Sequence, residues 1–169
     1  MFTRIVVPLD GSVLAESALP KAAELTRLTG AELTLVRVID FMTLEKSGAY
    51  GLALEYAPPR EILDVEMEEA DSYLRDVSAK LRASGFAVST EILRGRVARV
   101  LADFGQPGDV VVMASHGRGG LSRWFLGSVA EDLVRRSTVP VMLIRAQQPP
   151  KQAEPGTVVV PASTSAVLV

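Results

Sequence analysis

Residues 110–128 constrain the fold of this chain most, because an apolar run there leads into a glycine-rich loop and then into a helical pattern. Residues 110–113 are apolar at every position, which is typical of a strand buried on both faces of a parallel sheet. A helix is predicted over 128–136, and its first N–H groups lack partners within the helix. Glycines let backbone approach a ligand, so the stretch has the components of an anion site. The loop carries the only histidine, two arginines and three glycines: His116, Gly117, Arg118, Gly119, Gly120 and Arg123.

The composition predicts one domain of ordinary globular character. The chain has 169 residues, of which 48% are hydrophobic and 22% charged. Its net charge of −2 provides no basic surface, so nucleic acid is not an expected partner. Without cysteine there are no disulfides or thiolate metal sites, as suits a reducing compartment. Neither a leader-like N-terminus nor an apolar stretch of ~20 residues is present, so we predict a cytoplasmic protein without a membrane span.

Strand and helix patterns alternate along the chain. Strands are predicted at 5–9, 32–38, 86–92, 110–113 and 139–144, and helices at 13–28, 61–84, 97–104 and 128–136. Ser12 is a candidate N-cap for the first helix and Gly30 its expected end, while Pro20 predicts a kink. Residues 41–60 lack periodicity and are predicted to form a long loop. Composition predicts a domain at 1–146, followed by a Pro-rich linker and tail at 147–169.

This alternation predicts the fold class: α/β, an open five-stranded parallel sheet with helices on both faces. Such sheets bind ligands beyond the carboxyl ends of the strands, where the strand order reverses. Two loops compete for that position, residues 8–12 after the first strand and residues 114–128 after the fourth. If these two strands are neighbours, both loops face one crevice.

The usual phosphate-binding motifs are missing, since the chain has neither a P-loop nor a G-x-G-x-x-G turn. Instead Ala114-x-x-Gly117 is followed by nine residues and Gly127-Ser128. This resembles the G-x-x-G, nine residues, G-[S/T] nucleotide motif of the universal stress protein family. The resemblance covers residues 2–145 and includes Ile-Val-Val-Pro-Leu-Asp-Gly-Ser, Val-Arg-Val-Ile-Asp, Leu-Arg-Gly-Arg and Pro-Val-Met-Leu-Ile. Ala114 replaces the first motif glycine. An alanine is tolerated at this position if its φ is negative and is penalised if the fold needs a positive φ.

The resemblance implies a Rossmann-like fold of the adenine nucleotide alpha-hydrolase type and a regulatory module of the stress response that binds ATP or a related adenine nucleotide. It also implies a homodimer through strand 139–144. Any Mg²⁺ would arrive with the phosphates, and we predict neither protein metal ligands nor a catalytic residue. Asp10 and the main chain of Val38 would contact adenine, and the glycine loop would hold ribose and phosphates. The full candidate site is Pro8, Leu9, Asp10, Ser12, Val38, Met113, Ala114, His116, Gly117, Arg118, Gly127, Ser128 and Val129.

Several of these residues have a second interpretation. Ser128 and Glu131 form an S-x-x-E capping box, so Ser128 is also a candidate helix cap. Asp10 is a candidate turn residue of the Asp-Gly-Ser bend. His116 is a candidate general base, although the sequence places no nucleophile or orienting carboxylate beside it.

Two other functions stay open at this point. One is a slow ATPase, for which His116, Arg118 and Arg123 would have to position water and clamp charge. The other is a member that binds no nucleotide and acts through protein contacts, with Ala114 as its main argument.

Overall fold

The computed structural model describes residues 1–40, 60–115 and 127–145. Strands and helices alternate in it, with two helices after the first strand. In chain order they are β1 Arg4–Leu9, α1 Val13–Glu16, α2 Leu19–Thr29, β2 Glu32–Ile39, α3 Arg60–Ala83, β3 Val88–Arg94, α4 Val97–Phe104, β4 Asp109–Ser115, α5 Ser128–Arg136 and β5 Val141–Arg145.

The five strands form one parallel sheet in the order β3-β2-β1-β4-β5. The strand order therefore reverses between β1 and β4, which lie side by side with Ile5 opposite Val110. The predicted α/β class and five-stranded parallel sheet are confirmed. The carboxyl ends of β1 and β4 lie side by side, so described residues of the two competing loops line one crevice, while residues 116–126 lie outside the described residues.

Helices cover both faces because successive side chains of a strand point to opposite sides. Ile5 and Val7 of β1 pack into a core with the first three helices, through residues such as Ala22 and Leu74. Val6 lies in a second core with the last two helices, whose buried members are Val6, Val36, Ala98, Leu101, Val111, Leu133 and Val139. The central strands are buried on both faces, as the apolar run in β4 predicts.

One helix boundary prediction is wrong. The pattern over 13–28 contains two helices, α1 and α2, rather than one kinked helix. Pro20 lies in the first turn of α2, where its missing N–H has no intrahelical partner to lose and its fixed φ suits the helix. Ser12 caps α1, and Gly30 ends α2 in the left-handed conformation with φ 71°, as predicted.

Two strands begin two residues later than predicted. β3 begins at Val88 because Phe86 N–H is bonded to the Leu81 carbonyl, which closes the end of α3. β5 begins at Val141 because Ser137 and Val139 form a local turn in which the Ser137 hydroxyl bonds Val139.

The predicted 41–60 loop, apart from Arg60, and the predicted 147–169 tail lie outside the described residues. Across ranges 1–40, 60–115 and 127–145, no helix is both long and apolar enough to cross a membrane.

Candidate functional site

A cavity of about 250 Å³ opens at the carboxyl end of the sheet, at the reversal point between β1 and β4. Four segments that are far apart in sequence meet there: the end of β1 with α1, the end of β2, the start of α4, and the end of β4 with the start of α5. The lining residues are Pro8, Leu9, Asp10, Leu14, Ala15, Val38, Val97, Leu101, Met113, Ala114, Gly127, Ser128, Val129 and Ala130.

The turn after β1 brings Asp10 to the cavity. Its Oδ1 accepts hydrogen bonds from the Ser12 N–H at 2.9 Å and from the Ser12 hydroxyl at 2.6 Å. The Ser12 oxygen in turn accepts from the Ala15 N–H at 3.1 Å, which caps α1. Asp10 is therefore a turn residue that also lines the cavity. Ser12 is not among the lining residues, and its place is in the turn and the cap.

The N-terminus of α5 lies at the same cavity. Gly127 is its N-cap residue with φ 87°, and among the described residues no side chain caps the helix. The first intrahelical bond runs from the Glu131 N–H to the Gly127 carbonyl. The N–H groups of residues 128–130 come before that bond, so they have no partner within the helix. All three residues line the cavity, so its wall presents N–H donors and the positive end of a helix dipole.

The capping-box interpretation of Ser128 is wrong. Ser128 is the first residue of α5 rather than the residue before it, so its side chain is not placed to cap the helix. Glu131, the other half of the motif, accepts a hydrogen bond from Arg135 at 2.8 Å. The Ser128 side chain is therefore not needed as a helix cap, and Ser128 lies at the cavity.

The rest of the lining is mostly apolar. Val38 and Met113, both predicted, lie there with Val97 and Leu101 of α4. Sequence analysis missed α4 as a wall, together with Leu14, Ala15 and Ala130. A usable signal exists, since helices that follow strands of a parallel sheet begin at its carboxyl edge.

Ala114, which replaces the first motif glycine, causes no backbone strain. It lies inside β4 opposite Ile144 and packs against the first core. Over the described part of the chain no residue other than glycine has positive φ. Ala114 therefore has the negative φ at which a methyl group is tolerated.

Arg37 is a further polar residue near the site that sequence analysis did not select. It lies in β2, partly buried, and its Nη1 donates to the Leu9 carbonyl at 3.5 Å. The same nitrogen lies 3.8 Å from where a Cβ would stand on Gly11. A guanidinium group thus lies beside the turn that carries Asp10. Three other predicted site residues, His116, Gly117 and Arg118, fall outside the described residues.

Comparison with known proteins supports the fold and gives the family that the chain matches. The profile described as the universal stress protein family matches residues 1–145. Universal stress protein MJ0577 of Methanocaldococcus jannaschii is 29% identical over 157 residues, covering 86% of this chain and 96% of the relative. The solved structure of MJ0577 has a TM-score of 0.70 and 26% identity, and the alignment covers 88% of this chain and 99% of that one. A universal stress protein from Archaeoglobus fulgidus in complex with dAMP has the same fold, with a TM-score of 0.55, 21% identity and coverage of 85% and 97%.

Proposed function

The chain belongs to the universal stress protein family, and on that premise we propose that it is a regulatory module that binds ATP or a related adenine nucleotide. The base and sugar would occupy the cavity between β1 and β4, and the phosphates would lie at the N-terminus of α5. Any Mg²⁺ would be carried by the phosphates.

The observation that carries the proposal is that an apolar cavity adjoins the N-terminus of α5, which no side chain of the described residues caps. Val38, Leu101 and Met113 provide an apolar surface for a flat base. The N–H groups at 128–130, which have no partner within the helix, would provide donors for an anion at the other end. The cavity is somewhat smaller than the ~300–1,000 Å³ typical of drug-sized ligands, which suits a nucleoside with its phosphates outside. The dAMP complex of the A. fulgidus relative supports an adenine nucleotide as the ligand class.

Isothermal titration calorimetry with ATP and Mg²⁺ tests the proposal, using wild type and Gly127→Val. Valine at φ 87° strains the residue and adds a branched side chain where the anion would approach. We expect saturable heat with the wild type and at least tenfold weaker binding by the variant.

Gly85→Val is the matched control. Gly85 has the same φ of 87°, and a Cβ added there would have no atom within 4 Å. It follows α3 at the amino end of the strands, whereas the cavity lies at their carboxyl end. Its backbone strain should be comparable, so equal unfolding free energies by urea denaturation would isolate the effect on binding. Absence of heat with the wild type would contradict the proposal, and so would equal loss of binding in both variants.

We also propose that the protein forms a homodimer through β5. This strand is an edge of the described sheet, and residues 141–144 are apolar and only partly buried. An exposed apolar edge strand favours pairing with another strand, and the β5 strand of a second copy of this chain would provide one. Leu143 is the better residue to test, because Val141 also packs against the second core. Leu143→Lys should give a monomer in size-exclusion chromatography with light scattering, and an unchanged dimer would refute this edge.

A further inference from the structure

One wall of the cavity is formed by α1, although α1 is a single turn of four residues, none of which is buried. One helical turn is unstable alone, since nucleation fixes several dihedral angles for one hydrogen bond. Leu14 and Ala15 of this turn nevertheless line the cavity. Contacts with the rest of the protein must therefore hold α1 in place.

Local bonds hold the beginning of α1 and its own backbone. Ser12 caps the first turn, and Asp10 holds Ser12. The Ser17 hydroxyl donates to the Leu14 carbonyl at 2.6 Å. These bonds join residues within three positions of one another, so they shape the turn without fixing its place on the sheet.

A long-range bond holds the other end. The Tyr73 hydroxyl of α3 donates to Glu16 Oε1 at 2.9 Å, across 57 positions in sequence. The Tyr73 ring packs against the first core, so the hydroxyl is carried on an anchored side chain. Burial and the hydrogen bond with Glu16 raise the pKa of Tyr73 above its usual value, which further favours the protonated phenol that donates this bond.

We propose that Tyr73 is a positioning residue for nucleotide binding: its bond to Glu16 holds α1 where Leu14 and Ala15 form one wall of the cavity. The inference rests on the proposed function, because it concerns the same cavity. It assigns a role in binding to α3, a helix that contributes no residue to the lining. Tyr73 acts through Glu16 and α1 and touches no ligand.

Calorimetry with ATP and Mg²⁺ tests the binding part in Tyr73→Phe, Glu16→Ala and the double variant. Each single change removes the same bond, so we expect each to weaken binding about three- to tenfold. The double variant should bind ATP no more weakly than the single variant with the lower affinity, because the effects of two changes that break one interaction are not additive. Glu16→Gln keeps an acceptor oxygen and should bind within about twofold of the wild type.

Ser89→Ala is the control. It removes one hydroxyl from the Thr34–Ser89 hydrogen bond of 2.9 Å, which joins β2 and β3 away from the cavity lining. A loss of binding in Ser89→Ala equal to that in Tyr73→Phe would mean that general destabilisation explains both, and would overturn the inference. Unchanged binding by Tyr73→Phe, or additive losses in the double variant, would also overturn it.

Amide hydrogen exchange without nucleotide separates this inference from the proposed function. The Glu16, Ser17 and Ala18 amides bond to α1 carbonyls or to the Ser12 carbonyl. In Tyr73→Phe they should exchange several-fold faster, while amides of α4 and α5 stay unchanged. Unchanged α1 exchange refutes the positioning role, whether or not nucleotide binds. Faster exchange in a protein whose wild type gives no heat refutes the proposed function and the role in nucleotide binding, and leaves only the support of α1.

Discussion

The two ends of the β1–β4 strand pair use their polar groups in opposite ways. At the amino end Arg4 and Asp109 form two hydrogen bonds, Nε to Oδ1 at 3.0 Å and Nη2 to Oδ2 at 2.5 Å. The Gln106 N–H also donates to Asp109 at 2.8 Å, and the Arg4 guanidinium lies 4.6 Å from the centre of the Phe104 ring. Asp109 is only 3% exposed. The polar groups of this end are satisfied by one another.

At the carboxyl end, the described polar groups that line the cavity are bonded within two positions or have no partner within their own helix. Asp10 bonds Ser12 two positions away, and the first N–H groups of α5 have no partner within the helix. Strand order reverses here, so the described helices that follow β1 and β4 pack on opposite faces of the sheet. The comparison indicates that the amino end contributes stability, whereas the carboxyl end carries the proposed binding site. Changes at the two ends should therefore separate in experiments.

Asp109→Ala should have the largest effect on stability. It leaves Arg4 partly buried without its carboxylate, and we expect the free energy of unfolding to fall by about 3 kcal/mol. Asp132→Ala breaks a half-exposed pair with Arg136 and should cost less than about 1 kcal/mol. Urea denaturation measures both values. Similar losses of unfolding free energy in the two variants would mean that the amino end contributes no more to stability than an exposed ion pair does. A large loss of ATP affinity in folded Asp109→Ala would contradict the separation of stability and binding between the two ends.

Acid should remove part of the same stabilisation. Burial tends to raise the pKa of Asp109, but the hydrogen bonds from Arg4 and Gln106 and the charge of Arg4 outweigh it and hold the pKa below its usual value. A lowered folded-state pKa stabilises the protein above the unfolded value of about 3.9, and this contribution is lost as pH falls through the folded value. Urea denaturation at a series of pH values from near neutral to about pH 2 should therefore show that the free energy of unfolding falls more steeply in the wild type than in Asp109→Asn. Parallel curves would contradict the assignment.

Ser12 and Ser128 should differ although both stand at helix starts of the carboxyl end. Ser12→Ala removes a cap and should cost about 1 kcal/mol of unfolding free energy. Ser128→Ala removes no cap and should cost less than about 0.5 kcal/mol, while weakening ATP binding several-fold. Thermal denaturation and calorimetry on the same samples separate the two effects. A stability loss at Ser128 as large as at Ser12 would restore the capping-box interpretation.

Ala114→Gly should have a small effect on both stability and ATP binding. Ala114 already has negative φ, so glycine relieves no strain and adds flexibility to β4, at a cost of about 0.5–1 kcal/mol. ATP affinity should change by less than about threefold. A large gain in affinity would show that the methyl group obstructs the nucleotide.

The fold class was predictable from the sequence because its signals are local. Uninterrupted apolar runs predict buried strands, helical spacing predicts covering helices, and Gly30 ends a helix through its own backbone freedom. The predicted boundaries failed where a neighbouring element decided them. Phe86 suits a strand but closes α3, and Pro20 suits a kink but begins a helix after a turn at residues 17–18.

The candidate site was predictable only in part. The motif and the family resemblance selected residues at the ends of β1, β2 and β4, and the structure brings Asp10, Val38, Met113 and Gly127 to one cavity. The walls formed by Leu14 and Leu101 could be inferred only from the general rule that helices after parallel strands begin at the carboxyl end of the sheet. The bond from Tyr73 to Glu16 carried no signal in the sequence. Sequence patterns report a residue's preferences within a few positions of the chain. Strand order, which places β1 beside β4, depends on packing between residues about a hundred positions apart, and only the tertiary structure shows what such contacts build.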